Sequence, residues 1–389
     1  MRDSRAPSIP TSSGSASTFS CATIRPYIRK ISRRRPSLPR DADPPDRSHL
    51  SPAAATAREY RGVATRFEPV LDASPALRGD EEVLRALLRR RAAGSRADGN
   101  RIALVVSGGG MRGAYAGGMA HALDDAGLAP WFDVVYGSSA GAYIGAALLL
   151  GDGRGSAHIF FEDMACRAFI DPRRFGVRRP VVSLDHLIDH VLVHSKPMAW
   201  DRLGSSAMPL RVVATAADDL QPHVLEPATP EEWKRALRAT ASIPLLAGPP
   251  VELHGRRWID GSVAEPLPVL RALRDGATHV LALLNRTVPE LRRADPGAGP
   301  ARWARALDRL APGLGMIAQE SNRHGPALAV LDDAAHPSRA GAHLLALVPE
   351  QDLGVRGLTI DVARVERAAQ AGYRTVVSAL RRVEPDVIL

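Results

Sequence analysis

Residues 107–113 read Ser-Gly-Gly-Gly-Met-Arg-Gly, and residues 137–141 read Gly-Ser-Ser-Ala-Gly. Each stretch follows a short, largely apolar and β-branched run, 102–106 or 132–136, and precedes a segment with the composition of a helix. The second stretch has the pattern G-x-S-x-G, a sharp strand-to-helix turn that lifts a serine hydroxyl clear of its backbone. The first presents backbone N–H groups at a helix N-terminus, where negative charge is stabilised. A nucleophile and an anion-binding loop on neighbouring strand-turn-helix units suggest acyl transfer through an oxyanion.

Strand-like runs alternate with helical segments along the rest of the chain. Strands are predicted at 102–106, 132–136, 210–214, 280–284 and 343–348, and helices at 80–91, 114–126, 140–150, 230–239, 268–275, 301–310 and 361–380. This alternation predicts a parallel or mixed sheet with helices on both faces. Residues 158–193 form a long insertion that mixes aromatic and cationic residues. We interpret the insertion as a surface helix and loop, with a lid or a lipid-facing rim as the alternative.

The net charge of +9 lies almost entirely at the N-terminus, since residues 1–40 contain nine cationic side chains and one acidic one. The remainder of the chain is therefore nearly neutral, and nucleic-acid binding is not expected. Residues 1–58 are rich in Ser, Pro, Arg and Ala without hydrophobic periodicity, which predicts a disordered basic tail. Their composition also resembles an organellar transit peptide, but we favour a disordered tail or a start assigned too far upstream.

No apolar run approaches the roughly 20 residues that span a bilayer, and the N-terminus lacks the apolar core of a secretory signal. We therefore expect a cytoplasmic protein whose contact with membranes is peripheral. The two cysteines, Cys21 and Cys166, make neither a disulfide framework nor a metal pattern. No cluster of His, Cys, Asp and Glu has the spacing of a metal site, so neither a metal nor another cofactor is expected.

Two further segments carry chemically informative residues. Residues 257–262 read Arg-Trp-Ile-Asp-Gly-Ser, in which Asp260 ends a short strand and is followed by a glycine turn. Residues 239–246 read Ala-Thr-Ala-Ser-Ile-Pro-Leu-Leu, a helix end that Pro244 interrupts. A protonated serine hydroxyl is a weak nucleophile and needs a base nearby.

The four segments together resemble the patatin-like phospholipase family. The family's oxyanion loop G-G-G-x-R-G is similar to residues 108–113, and its G-x-S-x-G elbow to residues 137–141. Its Ala-Ser segment ending in proline is similar to residues 241–244, and its D-G-[GA] motif to residues 260–262, with serine in the third place. The resemblance covers about residues 100–290, and all four motifs occur in the family's order.

The resemblance implies a three-layer α/β/α fold with a mostly parallel central sheet, and a Ser-Asp dyad that cleaves lipid esters, most simply those of phospholipids. Ser139 would attack the ester carbonyl and Asp260 would take its proton. The oxyanion loop would comprise Gly108, Gly109, Gly110, Met111, Arg112 and Gly113, and Gly137 and Gly141 would complete the elbow. Because an ordinary aspartate is a weak base at neutral pH, we expect burial to raise the pKa of Asp260. Arg112 would support the loop or contact an anionic group of the substrate.

These expectations divide the chain into four parts. Residues 1–58 are the basic tail, 59–99 an N-terminal helical extension, 100–290 the catalytic domain, and 291–389 a C-terminal α/β continuation of the same domain. The expected partner is a lipid ester substrate, while the oligomeric state and the preferred head group cannot be inferred from the sequence.

Three alternatives remain open. Residues 108–113 also spell the dinucleotide-binding pattern G-x-G-x-x-G, but the next strand ends at Tyr136 where that pattern requires an acid. An α/β-hydrolase-type carboxylesterase requires a histidine after the acid, and His279, His324, His336 and His343 all follow Asp260. We interpret His279 as structural, and in that fold more strands precede the elbow. A non-catalytic nucleotide- or lipid-binding module is the third alternative, disfavoured because it has no need of both Ser139 and Asp260.

Overall fold

A computed structural model describes residues 76–175, 179–292, 320–333 and 341–386. The strands in these ranges are β1 (Ala76–Gly79), β2 (Ile102–Val106), β3 (Val134–Ser138), β4 (Leu210–Ala216), β5 (Pro222–Leu225), β6 (Val251–Leu253), β7 (Arg256–Ile259), β8 (His279–Leu283) and β9 (His343–Val348). The α-helices are α1 (Glu82–Ala93), α2 (Gly113–Asp125), α3 (Ala140–Leu149), α4 (Gly153–Ile159), α5 (Trp200–Leu203), α6 (Pro230–Thr240), α7 (Val269–Arg274), α8 (Val288–Arg292), α9 (Glu320–Asp333) and α10 (Val362–Val383). Two π-helical segments, Phe160–Met164 and His186–Ser195, complete the insertion.

The described strands form one sheet in the order β1-β9-β8-β2-β3-β4-β7-β6, with β5 paired to β4 beside this path. The strands from β9 to β4 are parallel, whereas β1, β5 and β7 pair antiparallel with their neighbours. Parallel strands place all their carboxyl ends at one edge of the sheet, where open α/β sheets bind their ligands. The turns after β2, β3 and β8 therefore meet at that edge.

Strand β2 shows how the sheet separates two helical layers. Its side chains alternate, so Ile102, Leu104 and Val106 join a core cluster that includes α2, α3 and α10. Ala103 and Val105 point the other way and join a second cluster formed with α7, α8 and α9. A strand covered on both faces is apolar throughout, as observed here. The predicted three-layer α/β/α fold with a mostly parallel sheet is confirmed.

Several element boundaries differ from the sequence-based expectations. The second core strand begins at Val134 instead of residue 132, because a 3₁₀ turn at Ala129–Trp131 occupies the chain just before it. The extension predicted as helical also contributes β1, which pairs with β9. The sequence did not predict β1, β5 or β6. The expected basic tail and the helix expected at 301–310 lie outside the described residues.

The interpretation of residues 158–193 as a surface helix and loop is wrong for most of the apolar side chains of the insertion. Phe160, Phe169 and Ile170 are each at most 4% exposed, as are Leu187 and Ile188. They belong to the larger core cluster with α2 and α3. Phe175, by contrast, is 69% exposed. The insertion is therefore a wall of the domain, and Phe175 is the most exposed of its large apolar side chains within the described residues.

A buried arginine ties α1 to the sheet. The Arg90 side chain is 1% exposed and donates to both carboxylate oxygens of Asp98, to Asp133, and to the carbonyls of Trp131 and Asn100 at 2.7–2.9 Å. These bonds lower the pKa of the Asp98 carboxyl well below its usual range. The segments that precede β2 and β3 are thus fixed to one cation.

Among the helices of the described ranges, none combines the length and the apolar character that a membrane span needs.

We predict that Arg90→Met destabilises the protein by about 3 kcal/mol, because it leaves two carboxylates and two carbonyls without their shared donor. The measurement is the free energy of unfolding from urea titration. Arg89→Met is the matched control, since the Arg89 side chain is 59% exposed, and its expected effect is within about 0.5 kcal/mol. Equal stabilities of the two variants would contradict this account.

Candidate active site

Ser139 occupies the turn between β3 and α3 in a strained conformation. Its backbone has φ 53° and ψ −125°, a positive-φ conformation that residues other than glycine rarely adopt. Gly137 and Gly141 flank it, and a Cβ on Gly141 would lie 2.2 Å from the Val106 carbonyl oxygen. Only glycine allows α3 to approach β2 this closely. The serine is consequently presented at the carboxyl edge of the sheet, as a nucleophile elbow requires.

Asp260 follows β7 and contacts the serine directly. The Ser139 hydroxyl donates to Asp260 Oδ2 at 2.7 Å, and the Ser262 N–H donates to Oδ1 at 2.7 Å. The two side chains are buried, with 4% of Ser139 and 2% of Asp260 exposed. The carboxylate contacts the hydroxyl directly, with no imidazole ring between them. Such an arrangement allows the proton to pass from serine to aspartate in one step.

The backbone around Asp260 is fixed from two sides. Its N–H donates to the Ser242 carbonyl at 3.0 Å, which joins the Ala-Ser segment to the aspartate turn. Its carbonyl accepts from the Thr215 hydroxyl, at the end of β4, at 2.9 Å. The carboxylate position therefore depends on β4, β7 and the end of α6 together.

Thr240, the last residue of α6, holds the strained serine from behind. Its hydroxyl accepts the Ser139 N–H at 2.8 Å and donates to the Val213 carbonyl. Thr240 is fully buried, so both bonds are made away from water. One hydroxyl thereby links α6, β4 and the nucleophile turn.

The glycine-rich loop after β2 lies against the serine. A Cβ on Gly108 would be 2.8 Å from the Ser138 carbonyl oxygen and 3.2 Å from the Ser139 Cβ, so this position admits no side chain. The Asn285 side chain, directly after β8, donates to the carbonyls of Ser107 and Gly108 at 3.2 and 3.1 Å. These two hydrogen bonds therefore hold the loop beside Ser139 from the side of β8.

The backbone donors of this loop divide into two sets. Gly108 N–H donates to the Pro266 carbonyl, Met111 N–H to Gly357, Arg112 N–H to Gly109, and Gly113 N–H to Gly110. Among the hydrogen bonds between described residues, the N–H groups of Gly109 and Gly110 have no acceptor. Of the six residues expected to form the oxyanion loop, these two have donors to offer a ligand.

Arg112 extends from the same loop into a half-buried position. Burial and the nearby Arg356 guanidinium lower the pKa of its side chain, although Glu290 and Asp352 act in the opposite direction. Its Nε is buried without a hydrogen-bond partner within the described residues. This N–H group therefore lies close to the site and has no acceptor in the described part of the chain.

Two cavities meet at Ser139. The first, here the apolar cavity, has a volume of about 250 Å³ and extends along α3, with the insertion as its opposite wall. The second, here the open pocket, has a volume of about 170 Å³ and contains Asp260, Arg112, Arg286 and His324 together with the glycine loop. Two cavities that meet at one nucleophile, the second with two arginines in its lining, suit a substrate with one apolar and one polar end.

The histidines that follow Asp260 lie in different places. His279 and His343 begin β8 and β9, at the sheet edge opposite to Ser139, where their rings stack 4.6 Å apart. His343 Nδ1 is 2.7 Å from Asp80, and His279 Nδ1 is 2.9 Å from the Thr278 hydroxyl. His324 lines the open pocket, and His336 lies outside the described residues. Only His324 is thus placed near the serine in the described part of the chain.

Three supporting residues, Thr215, Thr240 and Asn285, were not predicted from the sequence. Thr215 and Asn285 stand at the carboxyl ends of predicted parallel strands, a position that could have marked them. Thr240 carried no such signal. Within the described ranges, no three His, Cys, Asp or Glu side chains are arranged to hold a metal ion.

Comparison with known proteins gives two findings. Residues 104–273 match the family model of the patatin-like phospholipases. The chain is also similar to the uncharacterized protein YjjU of Escherichia coli (strain K12), with 30% identity over 212 residues. That alignment covers 54% of this chain and 57% of the relative, so the chain spans little more than half of the relative's length. The sequence-based assignment of the segment with Ser139 and Asp260 to a patatin-like domain is confirmed.

We predict that Thr240→Val lowers the free energy of unfolding by about 1–3 kcal/mol, because it leaves the buried Ser139 N–H and Val213 carbonyl without a partner. Urea titration measures the change. Thr240→Ser keeps the hydroxyl and serves as the control, with a much smaller loss. A valine variant as stable as the serine variant would show that this hydroxyl does not hold the turn.

Proposed function

We propose that this patatin-like phospholipase domain is a serine lipid acyl hydrolase, with Ser139 as nucleophile and Asp260 as its base. The observation that carries the proposal is the 2.7 Å hydrogen bond from the Ser139 hydroxyl to the Asp260 carboxylate, made in a buried site. The strained backbone of Ser139 supports the same role, because strain of this kind is retained where it positions a reactive group.

In the proposed reaction, Ser139 Oγ bonds to the ester carbonyl carbon while its proton moves to Asp260 Oδ2. The tetrahedral intermediate then breaks its bond to the leaving alcohol, which takes the proton from Asp260. Water then gives a proton to Asp260 and attacks the acyl carbonyl carbon. The second tetrahedral intermediate breaks its bond to Ser139 Oγ, which takes the proton back from Asp260 as the fatty acid leaves. Each half-reaction returns Asp260 to its carboxylate form.

We assign the oxyanion to the N–H groups of Gly109 and Gly110, because the other donors of the loop already bond within the protein. One such donor contributes about 3 kcal/mol to transition-state stabilisation in measured enzymes. Helix α3 begins directly after Ser139, and α2 begins directly after the loop. The positive ends of both helix dipoles therefore favour negative charge at this point.

The two cavities support a phospholipid or related lipid as substrate. The apolar cavity would take an acyl chain, and the open pocket would take the polar part of the lipid. Arg112 and Arg286 line the open pocket, and guanidinium groups are suited to phosphate oxygens. A phosphate-bearing head group is consequently the substrate feature that we expect the open pocket to recognise.

We also propose that the domain touches membranes peripherally, at the face around the apolar cavity. Phe175 is 69% exposed in a loop closed by the bridge between Ile170 and Val182, two residues that line this cavity. Leu358, 36% exposed, lines both cavities. Arginines flank Phe175 in the sequence at 173, 174, 178 and 179. Exposed apolar side chains beside cations suit the surface of an anionic membrane.

A carboxylesterase with a histidine in a triad is the second candidate function, because His324 lines the open pocket. The direct contact between Ser139 and Asp260 favours the dyad, since a triad places the imidazole between the hydroxyl and the acid. The two mechanisms differ in what the loss of His324 does to turnover.

We predict that Ser139→Ala and Asp260→Asn each lower ester hydrolysis by about 10³-fold or more, because each removes half of a group that acts as a unit. His324→Ala is expected to retain activity within about tenfold. The assay uses a short-chain chromogenic ester and phospholipid in detergent micelles, with circular dichroism to establish that each variant is folded.

The controls separate the candidates. His279→Ala, at the opposite edge of the sheet, is expected to behave as wild type. A loss in His324→Ala as large as that in Asp260→Asn would favour the triad. Wild-type activity in folded Ser139→Ala would remove the nucleophile assignment, and an inactive wild type would favour a binding module.

A further inference from the structure

We infer that the benefit of a longer acyl chain in the apolar cavity ends near 13 carbons, and that Ala147 is the side chain that keeps the far part of this cavity open. The inference rests on the proposed function, because it assumes an acyl chain attached to Ser139. It concerns the length of the chain, which neither the dyad nor the family match specifies.

The cavity follows one face of α3 from beginning to end. Its lining includes Ser139, Ala140, Tyr143, Ile144, Ala147 and Leu150. Apart from the serine, these residues recur at intervals of three and four, the spacing of a single helix face. At a rise of about 1.5 Å per residue, the distance from Ser139 to Leu150 is about 16 Å.

The opposite wall runs antiparallel to α3. Helix α4 starts just after Leu150, so two lining residues, its N-cap Asp152 and Gly155 in its first turn, belong to the far end. Phe160, which follows α4, lies back at the near end, because its ring and the Ala140 Cβ are both within 3.0 Å of the point where a Cβ on Gly113 would be. The cavity therefore has a near end at Ser139 and a far end at Asp152.

On the α3 side of the cavity, the chemical character of the lining changes at the far end. Along α3 the side chains are apolar, whereas Asp152 is exposed and its carboxylate accepts the Gly155 N–H at 2.8 Å. Methylenes placed along α3 leave water and gain binding free energy, but methylenes beyond Leu150 meet a charged group and solvent. The gain in binding free energy from each added methylene should therefore end at Leu150.

The length of α3 converts to a chain length. With carbon–carbon bonds of about 1.52 Å and angles near 111°, an extended chain advances about 1.25 Å per carbon. About 16 Å of cavity therefore accommodates about 13 carbons. Longer chains are bound no better than this, because their additional carbons leave the apolar lining.

Ala147 lies eight residues, or about 12 Å, beyond Ser139 on the cavity face. Its methyl group is much smaller than the lining side chains on either side of it, Ile144 and Leu150, and it is 8% exposed. A larger side chain here would point back toward the N-terminus of α3 and fill the cavity from that point onward. Chains of about eight carbons would still fit.

The test measures kcat/KM for monomeric p-nitrophenyl esters of 4 to 16 carbons, held below their aggregation concentrations. In the wild type we expect kcat/KM to rise by up to about fourfold per methylene, from the free energy of burying one CH₂, and to level off near 13 carbons. In Ala147→Phe we expect kcat/KM to level off near eight carbons. Ala147→Leu should give an intermediate plateau, and it replaces the phenylalanine variant if that variant does not fold.

Leu149→Phe is the matched control, since Leu149 lies on the same helix but not in the cavity lining, and its profile should follow the wild type. Active Ala147→Phe and Ala147→Leu variants with the wild-type plateau would overturn the inference, as would a wild-type profile without a plateau up to 16 carbons. Failure of the proposed function itself is distinguishable, because the wild type would then hydrolyse none of the esters.

Discussion

The close approach of α3 to β2 is the constraint on which the site depends. Gly141 brings the helix so near to Val106 that no Cβ fits between them, and the turn before the helix is forced into the strained geometry of Ser139. The strain persists because Thr240 and the neighbouring strands hold the turn from outside. The serine is thus placed within reach of Asp260, the glycine loop and both cavities.

The same packing sets the electrostatics of the site. The carboxyl edge of the sheet collects the N-termini of α2 and α3 around one buried hydroxyl–carboxylate pair. In the proposed reaction, the positive helix ends and the N–H groups of Gly109 and Gly110, which have no acceptor within the described residues, would stabilise a developing oxyanion, and the carboxylate would accept the proton. The proposed charge stabilisation would thus come from backbone N–H groups and the proposed proton transfer from one side chain, so the two roles fall on different residues of the site.

Much of this arrangement could be predicted from the sequence, because it is written in local patterns. Fully buried strands such as β2 appear as continuous apolar runs, and the two glycine turns have fixed spacing. What could not be predicted depends on distant contacts. Thr240 meets Ser139 across 101 positions, and Asn285 meets Gly108 across 177. The insertion was misinterpreted because its cations resemble those of a surface segment, whereas its apolar residues line a cavity.

The hydrogen bond from the Met111 N–H to the Gly357 carbonyl makes the glycine loop dependent on a residue far along the chain. Gly357 and Asn285 both support the glycine loop, and both lie beyond the segment 104–273 that matches the family model. Strand β9 and helix α10 complete the sheet and cover α2 from the same later part of the chain. A fragment cut to the matched segment would keep every motif residue and lose the backbone that shapes the loop. The segment needed to transfer this site to another protein is thus longer than the segment that contains the four motifs.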